Sequence, residues 1–524
     1  MKRIFNTTGT CIPTRHFLAD VSAKVDQVMA MAARGDYFTI NRPRQYGKTT
    51  LMYHLFQALQ GKKDYLPLDI SFEGIGSSTY SAAQLFIPAV LDLLSMRLEF
   101  MEEKEAAALL EKNRNIHDFG KLSRFFTEFV RKVARKVVLM IDEVDKSSNN
   151  QLFLDFLGML RTKYLGRNAG KDYSFHSVIL AGVYDVKTLK TKIRPDAEQK
   201  YNSPWNIAVD FEVDLALFPN EIAPMLEQYA GERQVKIDIP FFAENLFYFT
   251  SGYPFLVSLL CKIIDEKILP GKRKKEWNPG DLVEAVQIAL MKDNTNFETL
   301  IKNLENNSDL YEFVFDIIMN EREYSYNRDN PVIQEGALFG ILGEKNGKTK
   351  IHNRLYEQRI YNYMASKMET SREIKFDHVS SSYINKDGTL DIEKAIRKFQ
   401  EFMKEQYSTK DNAFIERNGR LLFLAFIKPI INGRGFDFKE VEVSEEKRLD
   451  IVITLGNQKY IVELKIWRGE AYHREGINRL CDYLDRQNQT RGYLLVYDLR
   501  KETGKQGEWE KIEMQGKEIY AAWI

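Results

Sequence analysis

At 524 residues the chain is long enough for about three or four domains, and its 44% hydrophobic, 12% aromatic and 28% charged content is that of folded globular protein. A net charge of +1 excludes a global basic field, so any nucleic-acid contact must come from local patches or from metal ions. Three dispersed cysteines (Cys11, Cys261 and Cys481) with no CxxC pair argue against a disulfide framework and a zinc site, and no run approaches the roughly 18–20 apolar residues a bilayer needs, so a cytoplasmic protein without membrane association is expected.

The first 215 or so residues alternate strand-like and helix-like patterns. Tyr37–Asn41 is a short apolar run leading into a turn, and Thr49–Leu59 reads as a helix. Leu66–Phe72 predicts a second strand, with helices over about 81–103 and 117–134. Val137–Ile141 is fully apolar and closes on Asp142, as a buried parallel strand does. Ser177–Gly182 and Asn206–Phe211 supply two more strands. Strands separated by helices imply right-handed crossovers and a parallel sheet.

A helical pattern follows to about 306, broken at Thr250–Pro254. Beyond it Leu338–Leu342 and Thr349–His352 flank Asn346-Gly347, a strong hairpin signal, and a helix runs over about 353–367. That combination predicts a winged helix. A polar linker with Ser380-Ser381-Ser382 precedes a last α/β region. The division expected is 1–215 for an α/β core, 216–306 for a helical lid, 307–368 for the winged-helix-like domain, 369–388 for the linker and 389–524 for the α/β tail.

The run Asn41-Arg42-Pro43-Arg44-Gln45-Tyr46-Gly47-Lys48-Thr49-Thr50 sits between a strand and a helix. In a phosphate-binding loop, backbone N–H groups wrap phosphates at a helix N-terminus, a lysine neutralises the β and γ oxygens, and a hydroxyl ligates magnesium. Gly47, Lys48 and Thr49 stand where that chemistry needs them, and Arg44, Gln45, Tyr46 and Thr50 complete the candidate site for ATP and Mg²⁺. Arg42 departs from the pattern, occupying the place of its first glycine. Asp142 and Glu143 close the apolar strand as a Walker B pair does, Asp142 for the magnesium shell and Glu143 for the attacking water. Arg194 stands in a loop where an arginine finger or a solvated side chain would serve.

In the tail, Arg448–Thr454 and Lys459–Ile466 flank Leu455–Gln458, a second hairpin. A loop centred on Gly456-Asn457 opposes Asp450 to Glu463. Facing like charges destabilise a ladder unless something offsets them, and a divalent cation does. Lys465, two residues on, projects from the same face. Two carboxylates and a lysine on one face suit Mg²⁺-assisted phosphodiester cleavage, with Asp450 and Glu463 as metal ligands and all three as catalytic candidates. Asp450, Glu463 and Lys465 match the D-x(n)-E-x-K pattern, and the segment resembles the PD-(D/E)xK nuclease superfamily, with Leu449 in place of the usual proline. That resemblance makes Glu416 a candidate for the additional acidic residue such nucleases carry on their first helix, with Glu442 competing.

The whole chain resembles bacterial AAA-ATPase-like proteins that carry a C-terminal PD-(D/E)xK nuclease domain. Residues 35–50, the Asp142-Glu143 strand end, Gly252-Tyr253-Pro254, Ile430–Gly433 and Glu463–Glu470 carry the resemblance. Gly252-Tyr253-Pro254 is similar to the GxP element of the STAND and archaeal-type ATPases, where lid helices meet the nucleotide, which makes Gly252 and Pro254 candidate cofactor contacts. The resemblance implies an α/β fold with a P-loop NTPase core, helical lid and winged helix, followed by an α/β nuclease-like domain. It accounts for Arg42, because the group commonly has arginine there. Arg479 stands where relatives often have glutamine; it keeps donors, loses the acceptor and adds a charge.

The function expected is an ATP-hydrolysing protein coupled to a Mg²⁺-dependent DNA nuclease, in defence or mobile-element DNA processing. The alternative is a STAND-like nucleotide-driven switch or scaffold with an inactive nuclease fold. Expected partners are nucleic acid, DNA first, and further copies of the chain. Basic runs at 131–136 and 272–275 read as solvated faces. The wing lysines Lys345, Lys348 and Lys350 are better placed for phosphates.

Overall fold

The computed structural model describes residues 2–144, 151–183, 205–292, 294–319, 322–370, 383, 385, 389–406, 422–423, 426–427, 435–438, 451–455, 458–487, 489–500, 505 and 507–524. In chain order its elements begin with α1 (Ser22–Arg34), β1 (Tyr37–Asn41), α2 (Lys48–Gln60), β2 (Tyr65–Ser71), α3 (Ala83–Phe100), α4 (Lys104–Glu111), α5 (Phe119–Val133), β3 (Lys136–Asp142), α6 (Gln151–Asn168) and β4 (Ser177–Gly182). Helices α7 (Pro219–Arg233), α8 (Ile239–Thr250), α9 (Pro254–Ile263), α10 (Pro279–Met291), α11 (Thr295–Glu305) and α12 (Ser308–Met319) follow, then the short β5 (Tyr324–Ser325), α13 (Pro331–Leu338), β6 (Leu342–Lys345), β7 (Lys348–Ile351) and α14 (Arg354–Thr370). The tail holds α15 (Ile392–Gln406), β8 (Gly435–Phe438), β9 (Ile451–Leu455), β10 (Gln458–Ile466), α16 (Glu470–Arg486), β11 (Arg491–Tyr497), β12 (Trp509–Met514) and β13 (Lys517–Trp523).

Two compact units result, Met1–Asn306 with Tyr326–Leu355, and Asn307–Ser325 with Tyr356–Ile524. In the first, a sheet of order β1-β4-β3-β2 is parallel throughout. Its strands are buried runs, as a sheet covered on both faces requires. Helix α5 shows why the covering elements form: Asp118 caps it by accepting from the Lys121 N–H at 2.8 Å, and Leu122, Phe125, Phe126 and Phe129 bury one stripe.

The strand expected over Asn206–Phe211 is reduced to a single parallel bridge between Val209 and Phe38. Trp205–Ala208 turn there, and the carbonyls of Phe211 and Val213 accept from the Arg42 guanidinium rather than from a neighbouring strand. The hairpin near 346 turns at Asn346-Gly347 as expected, both residues having positive φ (53° and 73°). That two-residue turn draws β6 and β7 up to Lys345 and Lys348, so Leu338 ends a helix instead of opening a strand.

In the second unit the sheet order is β12-β13-β11-β10-β9-β8. Strands β8, β9 and β10 form an antiparallel meander, and β10, β11 and β13 run parallel. Helix α16 makes the crossover from β10 to β11, burying Ile477, Leu480, Cys481 and Leu484 with Val452, Ile461 and Leu494. The β9–β10 ladder pairs Leu455 with Gln458 and Ile451 with Val462, the expected register. Beyond β11 the sheet is extended by β13 and then by β12 at its edge. No described helix is long and apolar enough to cross a membrane.

Candidate functional site

The phosphate loop leaves β1 and enters α2 through Gly47, whose φ of 85° lies in the left-handed region. Gln45 also has positive φ (56°). A Cβ at Gly47 would come 3.6 Å from Pro254 Cγ, so the loop lies directly under the start of α9. Lys48 is only 7% exposed, and its ammonium donates to the carbonyls of Arg42 (3.0 Å) and Pro43 (2.9 Å). Thr49 Oγ1 donates to Asp142 Oδ2 at 2.8 Å, joining the hydroxyl and the carboxylate that a P-loop uses for magnesium. Asp142 Oδ1 accepts from the Glu143 N–H at 2.9 Å. Glu143 itself has φ of 56°, a conformation a non-glycine residue holds only when its surroundings enforce it.

Gln45, Gly47, Lys48, Thr49, Glu143 and Pro254 line one cavity of about 510 Å³, a size that suits a nucleotide, and Asp142 stands behind that wall, joined to it by the bond from Thr49. Arg44, Gln45, Tyr46, Gly47, Lys48, Thr49, Thr50, Glu143 and Pro254 all contribute to its wall. The donor set therefore fits both ATP phosphates and Mg²⁺: a helix N-terminus and a buried lysine for the first, Thr49 and Asp142 for the second. Gly252 acts from behind the wall. Its φ is +72°, and a Cβ there would meet the Leu217 carbonyl oxygen at 2.5 Å, so only glycine lets Leu217 reach its place on the cavity.

Arg42 is a prop. Its guanidinium donates to the carbonyls of Asn41 (2.9 Å) and Val213 (2.8 Å) and lies 5.2 Å from the Phe211 ring centroid. Burial lowers its pKa, with Asp214 acting in the opposite sense. Sequence reasoning missed the opposite wall, built from the N-terminal segment around Asn6–Gly9 and from Phe17, Lys24 and Leu215. Cys11 N–H donates to Thr50 Oγ1 at 3.1 Å, tying that segment to α2. Buried Lys24 donates to the Ala216 carbonyl and to Glu221 Oε2, the latter at 2.6 Å. The only sequence signal was a polar, turn-like composition over Asn6–Thr10.

In the second unit, Glu463 and Lys465 share one face of β10. Glu463 is 1% exposed, and Lys465 Nζ lies 3.0 Å from its Oε1. Gly476 on α16 packs on the Lys465 stem, where a Cβ would stand in ordinary contact 3.4 Å from Lys465 Cγ. Arg479 donates to Glu475 on the same helix. Burial lowers the Arg479 pKa, but Glu475 and then Glu463 outweigh it, and the net shift is upward. Glu463 thus lies within the field of Arg479. Asp450, Glu416, Glu442 and Arg194 lie outside the described residues.

Lysine on loop carbonyls, threonine on the Walker B aspartate and a parallel sheet behind them define a nucleotide-binding P-loop ATPase. Its family is shown by the sequence: residues 15–362 match the model for the AAA-like domain, and the chain belongs to that family. Among solved structures it is similar to a Walker-type ATPase of Pyrococcus abyssi (11% identity, TM-score 0.46, covering 68% of this chain and 99% of that one). It is also similar to the ORC2 protein of Aeropyrum pernix (13%, 0.38, 70% and 99%) and to a RuvB variant of Thermotoga maritima (15%, 0.34, 65% and 94%). Those likenesses are remote, and the family assignment rests on the 15–362 match. A search of the curated proteins finds no match.

Proposed function

We propose that the chain binds and hydrolyses ATP with Mg²⁺ in its first unit and cleaves DNA by a metal-dependent PD-(D/E)xK site in its second. In this reading residues 216–306 are the lid, 307–368 a winged-helix-like domain and 389–524 the nuclease domain, acting in the cytoplasm, with self-assembly of the chain as a further expectation. The observation that carries it is the buried Glu463 with Lys465 at 3.0 Å on the same face of a strand that forms an antiparallel hairpin with β9. A carboxylate this deeply buried needs a cationic partner, and a strand that presents Glu-x-Lys on one face matches the catalytic half of the motif. Among the elements with described bounds, the order α15, β8, β9, β10, α16, β11 supports the same reading, matching the αβββαβ order of that superfamily.

Magnesium at such a site would hold the scissile phosphate and lower the pKa of the attacking water. The protein's own part is Glu463 and Asp450 as ligands, with Lys465 steadying the nucleophile or the developing charge. The test is cleavage of single- and double-stranded DNA and of RNA by the full chain with Mg²⁺ or Mn²⁺, with and without ATP. Cutting by wild type, its loss in Lys465→Ala and unchanged ATP hydrolysis in that variant are expected. Wild type that cuts none of these under any condition would sink the nuclease reading and leave the STAND-like switch.

A further inference from the structure

Tyr46 is a residue of the phosphate loop, yet its hydroxyl bonds outside the loop, sharing a 3.1 Å hydrogen bond with Nε2 of His352, the residue that follows β7. Tyr253 closes the group. Its ring centroid lies 4.7 Å from that of Tyr46 and 5.8 Å from that of His352, and Tyr46 and His352 are also 5.8 Å apart. The Tyr253 hydroxyl donates to the Arg44 carbonyl. One residue earlier, Pro43 meets Gly340, where φ is +71° and a Cβ would come within 2.8 Å of Pro43 Cγ. On the other side, Gln45 Nε2 donates to Thr295 Oγ1 (3.2 Å), and Gln45 Oε1 accepts from Asn296 Nδ2 (3.0 Å), both at the start of α11. Every loop residue from Pro43 to Tyr46 therefore has a partner from beyond residue 250.

The Pro43 carbonyl is one of the two that hold the Lys48 ammonium. Displacing this stretch of backbone moves both the lysine and the N–H groups that would take the phosphates. Burial lowers the His352 pKa to about 4, so the ring is neutral at physiological pH and keeps one acceptor and one donor nitrogen. Burial raises the Tyr46 pKa, so its hydroxyl stays protonated.

We propose that His352 is a positioning residue for ATP: by holding the Tyr46 hydroxyl it fixes the phosphate loop in its binding geometry and makes the β6–β7 hairpin segment part of the nucleotide site. This rests on the P-loop assignment and not on the nuclease reading.

The experiment uses the full chain and four variants, Tyr46→Phe, His352→Leu, the double variant and His352→Gln. A fluorescent ATP analogue gives the dissociation constant, and phosphate release gives KM and kcat. Each of the first two variants is expected to weaken nucleotide affinity and raise KM by about two- to ten-fold, the range one neutral hydrogen bond carries, with kcat changing less. The double variant is expected to match the worse single one, because both remove the same bond. His352→Gln, which keeps a donor and an acceptor, is expected to recover most of the affinity. Unchanged affinity in Tyr46→Phe, or effects that multiply in the double variant, would overturn the proposal, as would a lower Tm with an unchanged KM. Should His352→Leu fail to fold, Tyr46→Phe alone decides, since it removes one oxygen and keeps the ring. Wild type that binds no nucleotide would refute the P-loop assignment instead.

Discussion

One lysine anchors each unit, Lys48 buried and Lys465 partly so, and their partners differ in kind. Lys48 donates to backbone carbonyls, neutral groups that belong to the loop it stabilises. Lys465 pairs with the carboxylate of Glu463, a charge two residues away on the same strand. The first arrangement is assembled from many elements and depends on backbone shape. The second is written on one strand by the alternation of its side chains. Loss of a lysine therefore has different consequences: at Lys48 it removes binding energy for a ligand, and at Lys465 it removes a cation from beside a buried carboxylate.

The largest effect is expected at the first lysine. Lys48→Ala should lower kcat/KM for ATP by about 100-fold or more, because the lost charge would act on phosphate oxygens inside a largely buried site. Its cost in stability, read from denaturant unfolding, should be about 1 kcal/mol, because the two carbonyls it leaves are neutral and lose only a hydrogen bond. Retained ATP hydrolysis in that variant would remove the functional half of the comparison.

Lys465→Ala should do the reverse. Breaking a buried ion pair destabilises by about 3–5 kcal/mol at full burial, and the partly exposed lysine brings the expectation here down to about 2–3 kcal/mol. Denaturant unfolding reads this, and adding Glu463→Gln to the Lys465→Ala background should recover most of it. Equal midpoints for Lys48→Ala and Lys465→Ala would erase the distinction between the two sites.

His352 sharpens the contrast through pH. Burial lowers its folded-state pKa to about 4, below the unfolded value of about 6.5. Between those values the unfolded chain binds the extra proton, so this contribution is fully present above about pH 6.5 and is lost as pH falls toward 4. From pH 7.5 to pH 5 the loss should be about 2 kcal/mol. His352→Leu should lack that part of the pH dependence, and an identical slope in wild type and variant would contradict the assigned burial effect.

How much of this was legible in the sequence depended on range. The boundaries of β1 and β4 coincide with the apolar runs Tyr37–Asn41 and Ser177–Gly182, because buried parallel strands need no other signal. The β9–β10 register follows from loop position alone. The phosphate loop was legible because its chemistry occupies ten consecutive residues. The far wall of the cavity was not, because Phe17, Lys24 and Leu215 carry no periodic or motif signal and meet only in three dimensions. The Tyr46–His352 bond joins positions 306 residues apart, a pairing no local pattern announces. Arg42 shows the converse, a visible departure from consensus whose reason lies in Phe211 and Val213.

That departure yields the smallest effect. Arg42→Gly restores the usual first glycine of the motif, and consensus alone would predict tighter nucleotide binding. The structure predicts otherwise. The guanidinium donates to the Val213 carbonyl at 2.8 Å and holds the segment that the missing fifth strand would have placed. Removing it frees those carbonyls, and the new glycine adds unfolded-state entropy, for a combined loss of about 1 kcal/mol once water has partly replaced the bonds. Nucleotide affinity should stay level or fall, because Leu215 and Leu217 on the cavity wall follow directly from the segment Arg42 secures. Tighter binding in Arg42→Gly, measured with the same fluorescent analogue, would show that the loop needs its first glycine after all, and that the arginine prop serves the fold at the expense of the site.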